Sequence, residues 1–413
     1  MRRLIYIFII GLLLCSYTWA DGSRYASKSL LSEGKWVKIR VDKTGIYKLS
    51  YADLKNMGFS APSKVSVHGY GGWPLDEDFS KEYIDDVPST PVWRGSDYLL
   101  FYGKGPVKWE YDSSSQTFVH TNNPYSLYGY YFVTDATPTN DMTSVAQASG
   151  ATNRITTYDD YLVHEQELVS LAKSGRELYG EDFSGATPRT LSTFSSIPGI
   201  TNEDAKVTMS FVSKVTSGTG VASLSINQSN VLDVSIRSNR EEYVKALEGV
   251  STAVWKGEKS EKNSVVVSYN SASHNNVRLN YVRLHFKRTL QLYGAYTFFR
   301  SIASIGNVSR FVVQGANANT LVFDVTDAQR VRLMETELNG SELTFSIPAG
   351  TLREFVLVRT DQSFISPEVV GEVENQNLHA LEQKDMIIIA AKAFQTQAER
   401  LAEEHRATEG SSV

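Results

Sequence analysis

Lys35-Trp36-Val37-Lys38-Ile39-Arg40-Val41 is the stretch of this 413-residue chain that decides the fold class. Its apolar Val37, Ile39 and Val41 alternate with longer, mostly charged side chains, which is the period of a strand with one buried face. Short apolar runs separated by turns recur at residues 46–49, 65–68, 98–102 and 128–134. Residues 21–135 are therefore predicted to form an aromatic-rich β domain.

A polar linker is predicted next, at residues 136–152, which are rich in Ala, Thr and Ser. Beyond it, residues 153–290 contain short strands broken by Ser, Asn and Gly turns, with examples at residues 206–212, 222–226, 264–269 and 277–286. Strands at this spacing are typical of a β-sandwich. Residues 291–374 continue in the same style and are predicted to form a further β region.

The pattern changes in the last segment, residues 375–413. Residues 386–391 are a continuous apolar run, typical of a parallel strand buried on both faces. A helix is predicted after it, from apolar residues at helical spacing and a terminal glycine: Phe394, Ala398, Leu401, Ala402 and Gly410. These elements predict the first β-α unit of a doubly wound α/β domain after the mainly β regions. Because one strand and one helix cannot cover both faces of such a sheet, we expect the domain to continue beyond Val413.

The first twenty residues have the features of an export signal. Arg2 and Arg3 form a positive start, residues 4–14 are an apolar run of eleven, and Thr18-Trp19-Ala20 supplies small residues at a cleavage site. The apolar run is short for a membrane span, which needs about 20 residues. A cleaved signal peptide at residues 1–20 is therefore predicted.

Two alternatives for this segment stay open. The segment could remain uncleaved as an anchor, or a lipid could be attached at Cys15. The second alternative is disfavoured because Leu14 fills the preceding position, where a small residue is expected.

Cysteine usage and charge restrict the chemistry of the exported protein. Cys15 is the single cysteine, so the chain after residue 20 has no disulfide, no thiolate metal ligand and no cysteine nucleophile. Loss of Arg2 and Arg3 with the signal changes the formal net charge from −5 to −7. A weakly acidic protein without a long basic block is not expected to bind nucleic acid.

The beginning of the last segment resembles a known family. Asn375-Gln376-Asn377-Leu378-His379-Ala380-Leu381, followed by residues 385–389 and 398–402, resembles the entry into the peptidase domain of gingipain-like cysteine peptidases. The Asn-Gln-Asn-Leu-His element narrows the resemblance to the type IX secretion sortases. Ser411-Ser412 departs from the family, which usually has an apolar residue here. Further pieces follow the family's order at residues 34–39, 44–48, 101–106, 123–126, 174–180 and 323–327.

The resemblance implies a cysteine endopeptidase at the cell surface, with a caspase/gingipain-like α/β domain. Such an enzyme removes the C-terminal sorting domain of secreted cargo and helps to attach the cargo to lipopolysaccharide. Cargo proteins and outer-membrane secretion components are the implied partners. The catalytic Cys and His are expected downstream of Val413. This chain is therefore predicted to be an accessory region, exported to the outer-membrane surface, inactive alone, and without catalytic, cofactor-binding or metal-binding residues.

Two histidine motifs could in principle carry chemistry. His405 lies on the predicted helix and matches the family pattern, and a structural role is favoured over that of a catalytic base. His164-Glu165, followed by Glu167, lacks the HExxH spacing of a zinc site, so a solvated charged segment is favoured.

Two loops have part of a ligand-binding pattern. Gly69-Tyr70-Gly71-Gly72-Trp73 lacks the Lys-Ser/Thr ending of a phosphate loop, so a tight turn is favoured. An acidic loop could offer oxygens to calcium but lacks the spacing of an EF-hand, and a polar surface loop is favoured; its residues are Asp76, Glu77, Asp78, Asp85 and Asp86.

The tyrosines Tyr125, Tyr128, Tyr130 and Tyr131 support a rival function. Exposed aromatic rings stack on sugars, whereas aromatics in strands usually fill a sheet face, and the second interpretation is favoured. The rival is a non-catalytic, adhesin-like surface module that binds glycan or protein. A third possibility is a propeptide-like inhibitor of a peptidase on the same longer chain.

Overall fold

A computed structural model describes residues 25–78, 80, 84–171, 173, 176–239, 246–272, 274 and 276–413. The predicted signal at residues 1–20, with Cys15, lies outside the described residues, as do Ser174 and Gly175 of the family resemblance. The described chain forms 27 strands and two α-helices, so the prediction of a mainly β protein is confirmed. Within these residues, no helix has the length and apolar character needed to cross a membrane.

Nine strands and one short helix form the N-terminal β region. They are β1 (Trp36–Val41), β2 (Gly45–Ser50), α1 (Tyr51–Asn56), β3 (Ser66–Gly71), β4 (Ser89–Thr90), β5 (Val92–Arg94), β6 (Tyr98–Gly103), β7 (Val107–Asp112), β8 (Thr117–Asn122) and β9 (Gly129–Thr134). Helix α1 begins after Ser50, whose hydroxyl accepts a hydrogen bond from the backbone N–H of Asp53 at 3.0 Å.

Ten strands follow in the middle of the chain. They are β10 (Ser144–Val145), β11 (Asn153–Ile155), β12 (Thr157–Glu165), β13 (Arg189–Thr190), β14 (Ala205–Ser213), β15 (Thr219–Ile226), β16 (Ser229–Arg237), β17 (Leu247–Trp255), β18 (Val265–Tyr269) and β19 (Val277–Thr289).

The last part of the chain supplies eight strands and the second helix. They are β20 (Tyr296–Arg300), β21 (Ser309–Val313), β22 (Thr320–Asp324), β23 (Arg332–Met334), β24 (Glu337–Asn339), β25 (Glu342–Ile347), β26 (Glu354–Arg359), β27 (Glu368–Val373) and α2 (Gln395–Glu409).

The chain divides into two compact units. The described residues of the terminal unit are 25–36, 80, 84–87 and 373–413. The large unit lies within residues 37–78 and 88–372. The boundaries predicted at residues 135, 152, 290 and 374 stay predictions.

The N-terminal part of the large unit contains two sheets that share one core. The first has the order β27-β1-β9-β3-β4, and the second has the order β2-β6-β5. Alternation along the strands sends every second side chain into the core, as the sequence predicted for β1. The core includes Val37, Ile39, Leu49, Leu54, Phe101, Tyr131 and Val133.

A nine-stranded sheet dominates the rest of the large unit. Its order is β10-β23-β22-β26-β20-β12-β19-β14-β17, so it joins strands from both sides of residue 290. A four-stranded sheet, β13-β18-β15-β16, shares a large apolar core with β14 and β19. A second four-stranded sheet, β11-β21-β25-β24, shares an aromatic core with β20 and β26. This packing of sheet on sheet is the predicted sandwich architecture.

The terminal unit confirms one element of the predicted β-α unit and corrects the other. Helix α2 is present, and Gly410 ends it with a left-handed φ of 66°. Residues 386–391 were predicted to form a buried strand, but they are extended chain without a strand partner among the described residues. Ile387 is 78% exposed and Ile389 is 95% exposed. A strand needs a neighbour that accepts and donates along its whole length, whereas the segment has a single backbone hydrogen bond of this kind, from the N–H of Met386 to the oxygen of Ser412 at 3.2 Å.

Candidate functional site

The hairpin of β7 and β8 places aromatic side chains over the nine-stranded sheet. The indole of Trp109 stacks on the ring of Tyr161, with ring centres 4.0 Å apart and planes 17° from parallel. The ring centre of Phe118 lies 5.1 Å from that of Tyr161. It lies 5.1 Å from the ring centre of His285, which it meets edge to face. Because these rings interlock, the hairpin is held against β12 and β19.

A row of alternating charges crosses four strands beneath this hairpin. Lys287, Asp159, Arg300 and Glu354 are successive cross-strand partners on β19, β12, β20 and β26. Lys287 Nζ lies 2.9 Å from Asp159 Oδ2, and Arg300 Nε lies 3.1 Å from Glu354 Oε1. Opposite charges in neighbouring positions on a sheet stabilise the pairing register of the strands.

Arg300 is the centre of this row and is only 1% exposed. Its guanidinium lies 4.4 Å from the ring centre of Tyr161, and Nη1 donates to the backbone oxygen of Asp159 at 3.2 Å. Burial acts to lower the pKa of Arg300, but Tyr161, Glu354 and Asp160 outweigh burial and raise it above its ordinary value. Arg300 therefore remains a buried cation.

A cavity of about 360 Å³ opens beside these residues. Aromatic and charged residues line it, among them Trp73, Tyr102, Trp109, Tyr161, Arg300 and Glu354. Burial raises the pKa of Tyr102, and the nearby Glu354 and Tyr161 raise it further. Burial likewise raises the pKa of Tyr161. Both phenols are therefore neutral hydroxyl donors at physiological pH.

The glycine-rich loop at residues 69–73 encloses a buried lysine. The ammonium of Lys104 lies 3.9 Å from the ring centre of Tyr70 and 4.7 Å from that of Trp73. Lys104 is 3% exposed, and burial lowers its pKa to about 8. Gly71 has a φ of +87°, and an added Cβ there would lie 2.8 Å from Lys104 Cβ. Residues 69–71 are thus the irregular end of β3, where the pairing register with β9 shifts, and the predicted turn is confined to residues 72–73.

The four tyrosines of the rival glycan-binding hypothesis are divided by the structure. Tyr131 is buried in the core, where its hydroxyl accepts a hydrogen bond from the backbone N–H of Lys104 at 2.7 Å. Arg40 lies 4.0 Å from the ring centre of Tyr128, and Lys38 lies 4.1 Å from that of Tyr130. The four tyrosines therefore do not form one open platform for a sugar.

Tyr125 is the most accessible ring of that group, with 80% exposure. The division follows from strand geometry, because Tyr130 and Tyr131 are adjacent in β9 and point to opposite faces.

The histidine and glutamate of the predicted charged segment also point to opposite faces of β12. His164 Nε2 lies 2.7 Å from Glu181 Oε1, whereas Glu165 Oε2 lies 2.8 Å from His120 Nε2. The side chains of His164 and Glu165 are 11% and 14% exposed. The prediction of a solvated segment is therefore wrong for these two residues, because each is paired and mostly buried.

Glu167 is exposed, and one of its oxygens lies 3.3 Å from Asn122 Nδ2. His405 lies on α2, where its Nδ1 is 3.0 Å from Glu409 Oε2, one helical turn away. This pairing on the helix is consistent with a structural role.

The acidic residues of the predicted polar loop each have their own partners. Asp76 accepts a hydrogen bond from the backbone N–H of Asp78 at 3.0 Å, and Glu77 lies 2.8 Å from Arg176. In the terminal unit, Asp85 pairs with His379 at 3.1 Å and Asp86 accepts from Ser29 Oγ at 3.0 Å. Across the part of the chain that the structure covers, no group of three or more His, Cys, Asp or Glu side chains could hold a metal ion.

The residues around the cavity are far apart in the sequence. Tyr161, Arg300 and Glu354 come from three strands that become neighbours only in the folded sheet. A usable signal was the pair of runs at residues 107–112 and 117–122, which flank a polar turn as in a hairpin.

Comparison with known proteins gives a strong match to a solved structure. No protein-family profile matches the chain, and no curated protein matches it in sequence. The crystal structure of dimeric latent PorU from Porphyromonas gingivalis matches with a TM-score of 0.86 and 31% sequence identity. The alignment covers 94% of this chain and 38% of the PorU chain, so this chain spans about two fifths of that protein.

A second match is far weaker. The insecticidal delta-endotoxin Cry8Ea1 from Bacillus thuringiensis aligns with a TM-score of 0.22 and 10% identity, over 53% of this chain and 41% of that one. The similarity to PorU supports, at the level of the fold, the gingipain-like resemblance of the sequence. Over nearly all of its length, the chain has a PorU-like fold.

Proposed function

We propose that this chain is the N-terminal accessory region of a gingipain-like cysteine endopeptidase of the type IX secretion sortase kind. The observation that supports the proposal is the PorU-like fold, at a TM-score of 0.86 over 94% of the chain. The sequence elements that resemble the sortases, such as Asn375-Gln376-Asn377-Leu378-His379, support it independently. The activity proposed for the whole enzyme is removal of C-terminal sorting domains from secreted cargo.

The accessory region itself is proposed to be non-catalytic. A cysteine peptidase needs a thiolate with an imidazole within hydrogen-bonding reach. The only cysteine of this sequence is Cys15, in the proposed signal peptide. His405, the histidine on α2, is bonded to Glu409 on its own helix. The catalytic Cys and His are proposed to lie in the sequence that follows Val413.

The proposed location is the outer-membrane surface, reached by export through the inner membrane. The positive and apolar segments of residues 1–20 support export. The proposed partners are cargo proteins with C-terminal sorting domains and the outer-membrane secretion components. The similarity of the sequence to sortases supports these partners.

The test uses the full open reading frame that contains this chain, in a bacterium whose own sortase gene has been deleted. We expect the full protein to restore removal of the cargo sorting domain, measured as a mass shift of the cargo on immunoblots. Deletion of residues 37–372 should abolish processing. Normal processing by that deletion protein, present at the same level at the cell surface, would refute an accessory role.

A second assay addresses the chain alone. The purified 413-residue chain, with its signal removed, is mixed with a peptide that spans a cargo cleavage site, with and without iodoacetamide. We expect that the chain does not cleave the peptide by a thiol-dependent reaction, so iodoacetamide should make no difference to the amount of product. Thiol-dependent cleavage would contradict the non-catalytic assignment.

A further inference from the structure

The cavity beside Trp109 has the size and walls of a small-molecule site. Its volume of about 360 Å³ lies at the lower end of the range of roughly 300–1,000 Å³ for ligand pockets, which suits a ligand of one or two rings. Trp73, Trp109 and Phe298 supply apolar walls. One face of the Trp109 indole is covered by Tyr161, so this wall is held in place before any ligand arrives.

Three polar groups on the cavity wall can bond to a ligand. Tyr102 and Tyr161 line the cavity, and their hydroxyls make no hydrogen bond to another described residue. The buried indole N–H of Trp73 also lacks a partner there. Most buried polar side-chain atoms are hydrogen-bonded, so the unpartnered indole N–H, together with the two phenol hydroxyls beside it, indicates a polar ligand.

The charges in the cavity are already balanced within the protein. Glu354 is paired with Arg300 at 3.1 Å, and Asp160 is paired with Arg288 at 2.8 Å. At the edge of the cavity, Asp42 and Lys43 add one charge of each sign. A charged ligand would therefore meet no excess of the opposite charge, whereas a neutral ligand can bond to the remaining lone pairs and hydroxyls.

We propose that this cavity binds a neutral sugar of one or two pyranose rings. An apolar face of the sugar lies against the indole of Trp109, and its hydroxyls bond to Tyr102, Tyr161 and Glu354. Neutral sugars combine apolar C–H faces with many hydroxyls, which is the combination that these walls and groups complement. The proposal does not depend on the peptidase assignment, because it concerns this chain alone.

The decisive variant is the double substitution Tyr102→Phe with Tyr161→Phe. It removes two hydroxyls that bond to nothing in the described structure, so the melting temperature should stay the same or rise slightly. Saturation-transfer NMR is recorded on the purified chain with methyl β-D-glucopyranoside, methyl β-D-galactopyranoside and methyl α-D-mannopyranoside. We expect binding of at least one glycoside, weakened about tenfold or more by the double variant.

Matched variants separate this cavity from other surfaces. Tyr111→Phe removes a hydroxyl from the same hairpin outside the cavity, and Tyr125→Ala removes the exposed ring of the rival hypothesis. Both should bind the glycoside as the wild type does, whereas Glu354→Gln should bind more weakly at unchanged helix and strand content. Absence of saturation transfer to all three glycosides overturns the proposal, as does equal binding by the double variant. Binding of acetate or arginine methyl ester in place of the glycosides also overturns it.

Discussion

Asn377 accepts a hydrogen bond from the backbone N–H of Ser29 at 2.9 Å, which joins residues 348 positions apart in the chain. The neighbouring Asn375 donates its amide to the backbone oxygens of Leu31 and Gly34, each at 3.0 Å. These amides belong to the element that most resembles the sortases. In the terminal unit its polar side chains therefore hold the N-terminal segment in place, and this structural task accounts for their chemical type.

Asn377→Ala should loosen the segment that begins at Ser29. The variant loses a hydrogen bond between side chain and backbone, which contributes about 1 kcal/mol, or roughly fivefold in a local opening equilibrium. Hydrogen exchange read by mass spectrometry should be faster by that factor in peptides covering residues 29–34. Gln383→Ala, at an exposed position, is the control and should leave the exchange unchanged. Equal exchange in the two variants would show that Asn377 does not hold this segment.

The sequence was sufficient to predict those strands and helices that one local pattern of apolar residues determines. The alternation of Val37, Ile39 and Val41 predicted β1, and all three residues are buried. The helical spacing up to Leu401 and Ala402 predicted α2, and the glycine at its end is where the structure places the left-handed residue. For β1 the period of the apolar residues fixes the element, because it fixes which side chains can leave water together, whereas on α2 Ala402 is buried and Leu401 is 50% exposed.

The sequence was insufficient where the outcome depended on distant partners. Residues 386–391 have the composition of a buried strand, but a strand also needs neighbours, and composition does not supply them. Arg300 resembles a surface residue until β20 lies between β12 and β26, where Asp159 and Glu354 become its cross-strand partners. The stacking of Trp109 on Tyr161 likewise exists only after the hairpin folds onto the sheet.

Arg300→Met should destabilise the large unit strongly. The substitution leaves Glu354 without its buried cation, while Asp160 keeps Arg288, and breaking a buried pair in this way costs about 3–5 kcal/mol. Urea unfolding followed by tryptophan fluorescence measures the loss. The matched control is Arg310→Met, because the side chain of Arg310 is 46% exposed in its pair with Glu337. That variant should lose less than about 1 kcal/mol, and similar losses in the two would contradict the central role of Arg300.

Phe345→Ala should open a cavity in the aromatic core between β20, β21, β25 and β26. Phe345 stacks on Phe311 with ring centres 5.0 Å apart and planes 8° from parallel, and it lies 5.1 Å from Phe355. Truncation of such a ring costs about 3–5 kcal/mol, because the transfer and cavity contributions add. Phe345→Leu retains most of the volume and should cost roughly 1.5 kcal/mol or less. Urea unfolding should rank the variants in this order, and an alanine variant as stable as the leucine variant would contradict tight packing here.

Lys104 should make stability depend on pH in a direction that the structure fixes. Burial lowers its pKa in the folded protein to about 8, from 10.5 for an ordinary lysine. Between these two pH values the unfolded chain binds the proton and the folded chain does not, so folding becomes more favourable as pH rises. A pKa shift of this size raises the free energy of unfolding by about 3 kcal/mol as the pH rises. The gain is absent below pH 8 and complete near pH 10.5.

Lys104→Met removes this titration while it keeps a long apolar stem between Tyr70 and Trp73. The unfolding free energy of the wild type minus that of the variant should therefore rise by about 3 kcal/mol from pH 8 to pH 10.5. Taking the difference between the two proteins cancels the titration of the tyrosines, which they share. Lys64→Met, at an exposed position, is the control, and its difference from the wild type should change little over the same range. A difference for Lys104→Met that stays constant with pH would mean that the ammonium remains charged between the two rings, held there by its attraction to their faces.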